Sequence, residues 1–501
     1  MQLQKLTAVL VLAAILSAAH SAPAVENAAP QKGSQLAFPS AEGFGRFARG
    51  GRGGDVYYVT TLEDDGPGSL RDAIRSATGP LTILFSVSGT IALKSPLVVD
   101  KSYITIAGQS APGDGICLRD QTFRLKNASH IIMRYIRVRL GDENKPRPSG
   151  PDCLNTDDVD SIIFDHINVS WGIDGNHDLR RGGNFTLQWS IYAEALNNSL
   201  HDEGSHAMLG SFRDLTGSIS IHHNLLASSR ERHPTLGGSP GTKPQAIVDF
   251  RNNVVYNVEG ATNLGNCQIN VVNNYYRPGP NTPADHQPLA IKAENRGATK
   301  VYVAGNVFEG TRHFDSNNYD AIDFVKWAKG NYLVTTLEEV RSEQEFQLAD
   351  SRPRTQSAQE AYELVLQKAG ASLKRDAVDE RVVQGVRDRT HRRIDSQKEV
   401  GGWPELRSLP APVDADRDGM PDDWERQRQL NPNDKADRNQ DRDEDGYTNL
   451  EEYLNSLVDS PYNSRPLRST NYQQPPRLAR QVTLPSSERR GKYRRDYHAA
   501  H

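Results

Sequence analysis

The sequence has few cysteines, little net charge and only one long apolar run, and each of these scarcities excludes a class of protein. Three cysteines in 501 residues, Cys117, Cys153 and Cys267, allow at most one disulfide bond, so the chain is not a disulfide-stapled scaffold. A net charge of −4 gives no reason to expect nucleic acid as a partner. The sequence also lacks the periods of collagen, coiled coils and multi-span membrane proteins.

The one long apolar run lies at the amino terminus. Lys5 precedes the run from Leu6 to Ala19, and small residues and Pro23 follow it. A basic start, an apolar stretch of this length and small residues at its end are typical of a secretory signal peptide, which we predict over residues 1–24. Spanning a bilayer would take about 20 apolar residues, so we expect no membrane span. The protein is therefore predicted to be secreted, into the periplasm or outside the cell.

Short strand-like runs recur between about residues 37 and 310. Each alternates apolar positions, most carry Asn or His near the middle, and successive runs start 21 to 34 residues apart, at 131–138, 162–169, 185–192, 219–226, 248–255, 269–276 and 301–308. Such spacing, without helical runs between the strands, indicates the coils of a solenoid. A β-sandwich would need stronger hairpin signals. We predict an all-β fold, a right-handed parallel β-helix with one long face suited to a polymer.

The pattern changes after about Thr335. Helical spacing predicts helices over 358–370 and 377–388, and the stretch 401–412 is rich in Gly and Pro. We therefore predict a solenoid domain over 36–404 that ends in a short helical segment, followed by a linker at 405–413. A small acidic module follows at 414–455. Residues 456–501 are polar and rich in Pro and Arg, and we predict a disordered basic tail.

The acidic module contains two twelve-residue stretches with the same spacing of oxygen-bearing side chains. Alternating carboxylates supply ligands to a hard cation, Gly permits the sharp turn at position 6, and Glu at position 12 binds through both oxygens. The pattern resembles EF-hand and dockerin-like calcium repeats, and a structural Ca²⁺ site is favoured, with docking to a scaffold protein left open. The ligand positions 1, 3, 5, 9 and 12 are Asp414, Asp416, Asp418, Asp422 and Glu425 in the first stretch, and Asp441, Asp443, Asp445, Asn449 and Glu452 in the second.

Five stretches of the solenoid region carry distinctive motifs. They are AEGFGRFARGGRGGDVYYVTTLEDDGPGSLRDAI (41–74), ITIAGQSAPG (104–113), FDHINVSW (164–171), RERHP (230–234) and DAVDERVV (376–383). Together they resemble the bacterial pectate lyases of polysaccharide lyase family one over about residues 36–404. The resemblance implies β-elimination on polygalacturonate, an acidic polysaccharide, with Ca²⁺ as cofactor and a 4,5-unsaturated sugar as product.

The resemblance also implies which residues act. Asp152 stands thirteen residues before Asp165, which precedes His166, and Asp174 and Asp178 match a D-G-x-x-D motif, so Asp152, Asp174 and Asp178 are the implied calcium ligands. Carboxylates on adjacent coils of a solenoid can converge on one face and hold an oxygen-preferring cation. Arg232 matches the Arg of an Arg-x-Pro turn and is the implied base. Because a free guanidinium has a pKa above about 12, a role in clamping the substrate carboxylate stays open.

The chain departs from the family in its expected cations. Glu203 stands where the family has a Lys, and residues 235–238 (TLGG) replace a further Arg. Substrate-binding cations could come instead from Arg230, Arg213, Lys243 or Arg251. His166, His222 and His223 are predicted to be structural, and Cys153 to be a small buried residue.

Three other functions were weighed. A pectin lyase would lack the calcium carboxylates, and a β-helix glycosidase would need two carboxylates flanking the bond. A non-catalytic polyuronate-binding solenoid at the cell surface remains the alternative from a different class.

Overall fold

The computed structural model describes residues 35–143, 150–292, 294, 297–324 and 336–458. The predicted signal peptide and all of the predicted tail beyond Val458 lie outside these ranges. The described strands are β1 Asp55–Val59, β2 Leu81–Phe85, β3 Gly89–Ala92, β4 Leu97–Val99, β5 Ile104–Ala107, β6 Ile116–Arg119, β7 Phe123–Lys126, β8 Ser129–Arg134, β9 Ile136–Arg139, β10 Leu154–Asp165, β11 Asn168–Ser170, β12 Gly175–Gln188, β13 Ile191–Ala193, β14 Met208–Arg213, β15 Ile219–His222, β16 Leu225–Ala227, β17 Thr235–Gly237, β18 Ile247–Arg251, β19 Val254–Tyr256, β20 Thr262–Gly265, β21 Gln268–Val272, β22 Tyr275–Arg277, β23 Leu289–Ile291, β24 Lys300–Ala304, β25 Val307–Phe308 and β26 Ile322–Asp323.

The helices are few and short. The α-helices of the described ranges are α1 Leu70–Ser76, α2 Arg312–Ser316, α3 Leu337–Val340, α4 Ala358–Lys368, α5 Ala377–Asp388, α6 Asp422–Gln427 and α7 Asn449–Ser456. Turns of 3₁₀-helix lie at Gly108–Ser110, Asn318–Ala321, Ala349–Ser351, Gln397–Val400 and Asp437–Asn439. None of these helices has the length and apolar character of a membrane-spanning segment.

The strands pair in parallel and form three faces of a β-helix. The first face runs β4, β7, the first half of β10, the first half of β12, β14, β17, β20, β23 and β26. The second runs β1, β2, β5, β8, the second halves of β10 and β12, β15, β18, β21 and β24. The third runs β3, β6, β9, β11, β13, β16, β19, β22 and β25. The predicted parallel β-helix is confirmed.

The interior is a stack of aligned apolar side chains. Because side chains alternate across a strand, every second residue of each run points inwards, and equal register on successive coils places those residues one above another. On the second face the aligned, buried residues are Ile104, Ile131, Ile162, Phe185, Ile219, Val248, Ile269 and Val301. The regular spacing of the sequence runs therefore produces one continuous core.

A ladder of buried asparagines closes the turn between the second and third faces. The Asn253 amide donates to Asn274 Oδ1 at 3.0 Å, and the Asn274 amide donates to Asn306 Oδ1 at 2.9 Å. Asn224 and Asn318 extend the ladder at its two ends. These are the polar residues that interrupt the apolar runs, and they satisfy backbone groups that the turn would otherwise leave unpaired.

Helices α4 and α5 pack on the third face. Val365 and Val382 lie in one apolar cluster with Leu225 and Val254. At the start of α5, Arg139 Nη1 donates a hydrogen bond to Asp376 Oδ2 at 2.6 Å, and both side chains are buried. The helices predicted over 358–370 and 377–388 are confirmed to within two residues at each end.

Candidate active site

Three carboxylates lie near one another at the edge of the first face. Asp152 precedes β10, Asp174 precedes β12, and Asp178 lies in β12 opposite Asn155 of the neighbouring coil. Burial raises the pKa of Asp152 well above its usual value, and the negative charges of Asp178 and Asp174 raise it further. Asp152 Oδ2 accepts a hydrogen bond from Asn155 at 2.8 Å, whereas its buried Oδ1 has no hydrogen-bond partner. Clustered carboxylates with an open buried oxygen fit a hard cation.

The other two carboxylates already have cationic neighbours. Asp174 Oδ1 lies 2.7 Å from His206 Nε2. Burial tends to raise the pKa of Asp174, but this histidine and the charge of Arg232 outweigh burial and lower it. Asp178 lies 3.6 Å from both Arg180 and Arg213. The cluster therefore combines carboxylates with nearby basic side chains, an arrangement that can accept both a cation and an anionic group.

Arg232 belongs to the same site. Its backbone has φ +59°, and its carbonyl accepts a hydrogen bond from Gly210 at 3.1 Å, which anchors the turn to the end of the preceding coil. Arg232 Nη1 donates to Ser211 Oγ at 3.3 Å. Its positive charge offsets part of the rise in the pKa of Asp152 and helps to lower the pKa of Asp174. The structure thus brings together the four residues that the sequence motifs implied.

The sequence missed one further cation. Lys292 directly follows β23, and burial lowers its pKa, with the positive charges of Arg232 and Arg213 lowering it further. Burial also lowers the pKa of Arg213, which shares the site. Arg180, Arg213 and Arg232 therefore lie next to the carboxylates, and Lys292 lies beside Arg213 and Arg232. Lys292 follows one short apolar run in a loop of variable length, and no motif spacing in the sequence pointed to it.

The remaining predicted cations occupy different positions. Arg230 Nε lies 3.8 Å from Glu259, at the rim of the first face. Lys243 is exposed and lines a cavity of about 920 Å³ together with Arg46 and Arg49. Arg251 is fully buried against Asp249, so its predicted role as a substrate cation is wrong, because it cannot reach a ligand at the surface.

The histidines that sequence reasoning held to be structural are structural. His166 Nδ1 pairs with Asp165 at 2.8 Å, and its ring stacks on Tyr135 at 4.8 Å. His222 and His223 are buried, and burial lowers the pKa of His223 to about 4. Cys117, Cys153 and Cys267 are buried and form no disulfide.

In the acidic module, the structure gathers part of the predicted ligand sets. Asp414, Asp416 and Asp418 lie within ligating distance of one another, and so do Asp441, Asp443 and Asp445. Glu425 joins the first group through Asp418.

The other three predicted ligands of the module lie outside these groups, and their role as ligands stays a prediction. Asp422 accepts hydrogen bonds through both oxygens, from the Ala415 amide at 2.8 Å and from Arg426 Nη2 at 2.9 Å. Asn449 Nδ2 donates to the carbonyl of Asp437. Glu452 is absent from the second group of carboxylates.

Carboxylates and an arginine on one face of a parallel β-helix fit one class of protein, the polysaccharide lyases, and the sequence relatives show that class. The chain is 35% identical over 447 residues to a probable pectate lyase C of Aspergillus flavus, covering 85% of this chain and 95% of that relative. It is 36% identical over 449 residues to a probable pectate lyase C of Emericella nidulans, covering 86% and 94%. The chain belongs to the pectate lyase family. These relatives are fungal, and the bacterial branch indicated by the motifs stays a prediction.

Two other comparisons add little. No family model matches the chain. Among solved structures, it resembles a pectate lyase from Bacillus sp. N165 in complex with trigalacturonate, with a TM-score of 0.44, 19% identity and coverage of 66% of this chain and 98% of that one. The family assignment rests on the sequence relatives.

Proposed function

We propose that the chain is a secreted, calcium-dependent pectate lyase that cleaves α-1,4-linked polygalacturonate by β-elimination. The observation that carries the proposal is the open, buried Oδ1 of Asp152 beside Asp174 and Asp178, with Arg232 next to them. These residues fit Ca²⁺, which accepts six to eight oxygen ligands, several of them carboxylate. The relatives named as pectate lyases support the same substrate class.

Asp152, Asp174 and Asp178 would hold the cation, and the other charged groups would act on the substrate. Bound there, Ca²⁺ would supply positive charge against the uronate carboxylate and so acidify the neighbouring C5 proton. Arg232, after giving up its own proton to hydroxide in alkaline solution, takes the C5 proton, the electron pair of the C5–H bond forms the C4=C5 double bond, and the C4–oxygen bond breaks. The departing oxygen takes a proton from water, and a 4,5-unsaturated oligogalacturonide remains.

We propose that the substrate chain lies along the first face, where successive coils of the protein each place basic side chains. Arg213 and Lys292 lie at the reaction centre and would bind substrate carboxylates. Arg230 would contact the chain at the rim. Lys243, in its separate cavity, would take part only if the polymer extends beyond the face. Secretion follows from the signal peptide predicted over residues 1–24.

The first experiment measures the ultraviolet absorbance of unsaturated product from polygalacturonate at alkaline pH. We expect activity with Ca²⁺ and its loss with a chelator. Arg232→Ala should lower kcat by at least about 10³-fold, because it removes the group that takes the C5 proton. Arg232→Lys, which keeps the charge, should recover only part of this loss.

Arg181→Ala provides the matched control. Arg181 lies on β12 with Asp178 but pairs outwards with Asp158, with its side chain 51% exposed. This variant should retain wild-type activity. Full activity of Arg232→Ala in Ca²⁺ would overturn the assigned role of Arg232, and activity that survives chelation would overturn the calcium dependence.

A further inference from the structure

Several buried carboxylate oxygens in and just after the first acidic loop accept no hydrogen bond. Asp418 and Glu425 have fully buried side chains, and Asp437 is 5% exposed. Both oxygens of Glu425, Oδ2 of Asp418 and Oδ1 of Asp437 accept no hydrogen bond. Ligand atoms of these three residues lie within 4.8 Å of one another. Unpaired buried charges of one sign are costly, so this arrangement calls for a cation at its centre.

Asp437 does not belong to the twelve-residue pattern. It begins the 3₁₀ turn Asp437–Asn439, between the two loops, and lies twelve residues after Glu425. Its Oδ2 accepts a hydrogen bond from the Asn431 amide at 3.0 Å, which leaves Oδ1 turned towards Asp418 and Glu425. Position 9 of the loop, Asp422, is committed to Ala415 and Arg426. A residue from outside the loop therefore takes the place that position 9 has in an EF-hand pattern.

The same segment packs against the first coils of the β-helix. Met420 and Leu450 lie in one buried cluster with Leu84 of β2 and Ala107 of β5. Gly419 has φ +110°, a conformation that favours glycine, and a Cβ atom there would come within 2.7 Å of Leu450 and 3.0 Å of Leu84.

Polar contacts flank that apolar cluster. Arg52 Nε donates to Glu451 Oε1 at 2.7 Å, and Arg438, next to Asp437, lies 3.2 Å from Asp55. The Tyr58 hydroxyl donates to Asp414. Asp416, Asp418 and Asp437 thus lie within two residues of a contact with the solenoid, made by Asp414, Met420 or Arg438. Glu425 directly follows Trp424, which packs against the same apolar cluster.

We infer that Asp416, Asp418, Glu425 and Asp437 form one complete Ca²⁺ site, with Asp414 at its edge, and that Ca²⁺ there clamps the module onto β2 and β5. A cation that fixes the ligand segments also fixes the contacts adjacent to them. Because Leu450 and Tyr453 of α7 are buried in that contact, the module is an internal clamp. The exposed carboxylates of the second loop form no equivalent buried site.

The test compares Asp437→Asn with Asp422→Asn in the full chain and needs no substrate. Hydrogen exchange of the amides in β2 and β5 and the thermal midpoint are measured with Ca²⁺ and with a chelator. In the wild type and in Asp422→Asn, Ca²⁺ should slow exchange in β2 and β5 at least about tenfold and raise the midpoint. In Asp437→Asn the slowing should be lost.

Asp437→Asn also has an expected effect without calcium. Removing one of several like charges relieves their repulsion, so this variant should unfold at a higher temperature than the wild type in chelator. That result shows that the variant folds and separates loss of a ligand from loss of structure. Calcium-dependent slowing of exchange retained in Asp437→Asn would overturn the site. Slowing lost in Asp422→Asn but kept in Asp437→Asn would restore the EF-hand ligand set instead.

Discussion

At the scale of single residues, Glu42 makes stability depend on pH. Its carboxylate lies 3.3 Å from Arg354 Nε, yet burial outweighs this neighbour and raises the pKa of Glu42 to about 7 from 4.5. Because the folded pKa lies above the unfolded one, the folded state holds the proton more tightly. Stability is therefore greatest below the unfolded pKa and falls as the pH rises from about 4.5 to 7.

Glu42→Gln should remove this loss. At pH 8 the variant should be more stable than the wild type by about 1 to 3 kcal/mol, the upper figure lying a little below the value that the full pKa difference would give. At pH 4 the two proteins should be equally stable, since Glu42 is then protonated in both states. Urea unfolding at the two pH values measures the difference, and an equal offset at both values would contradict the role of ionisation.

Individual site residues could be predicted only where their spacing in the sequence indicates that they lie close together in the fold. Asp152, Asp174, Asp178 and Arg232 fall at motif spacings, and the structure places them together. Lys292 reaches the site only because coils of unequal length stack in register, which no local spacing encodes. Asp437 and Asp422 likewise exchange roles through a turn and a side-chain pairing that the twelve-residue pattern does not contain.

At the scale of structural elements, we expect the buried asparagines of the ladder to contribute more to stability than asparagines whose side chains are exposed. Asn253 Oδ1 accepts from the Asn224 amide, and Asn253 Nδ2 donates to the carbonyl of Ile221 at 2.9 Å and to Asn274. Asn253→Ala should lower the free energy of unfolding by about 2 to 4 kcal/mol, because it leaves buried groups unpaired on two coils. Denaturant unfolding measures the loss. The exposed Asn433→Ala is the control and should stay within about 0.5 kcal/mol.

The elements were easier to predict than their contacts. Apolar runs of regular length with a central Asn or His report the turn between two faces of a coil, and α4 and α5 show helical spacing directly. The pairing of Arg139 with Asp376 was not predictable, because it joins residues 237 positions apart. The long strands β10 and β12 were also missed as continuous elements, since each bends at a left-handed residue, Asp158 or Arg181, and serves two faces.

At the scale of the whole molecule, we expect the two proposed calcium sites to have different roles, one in catalysis and one in stability. Asp178 lies on the first face beside Arg213, whereas Asp437 belongs to the module that packs on β2 and β5. The two carboxylates have no described contact with each other, so their effects should be nearly additive.

Asp178→Asn should therefore lower kcat/KM by at least about 100-fold at 25 °C while calcium still slows exchange in β2 and β5. Asp437→Asn should keep kcat/KM within about twofold at 25 °C, but lose activity sooner on heating in Ca²⁺, because its first coils open at lower temperature. Lyase activity before and after timed heating, measured on both variants and on the double variant, distinguishes the two roles. If Asp437→Asn, folded at 25 °C, lost as much activity as Asp178→Asn, the two sites would be coupled, and the clamp would have to act on the catalytic face through the stacked coils between them.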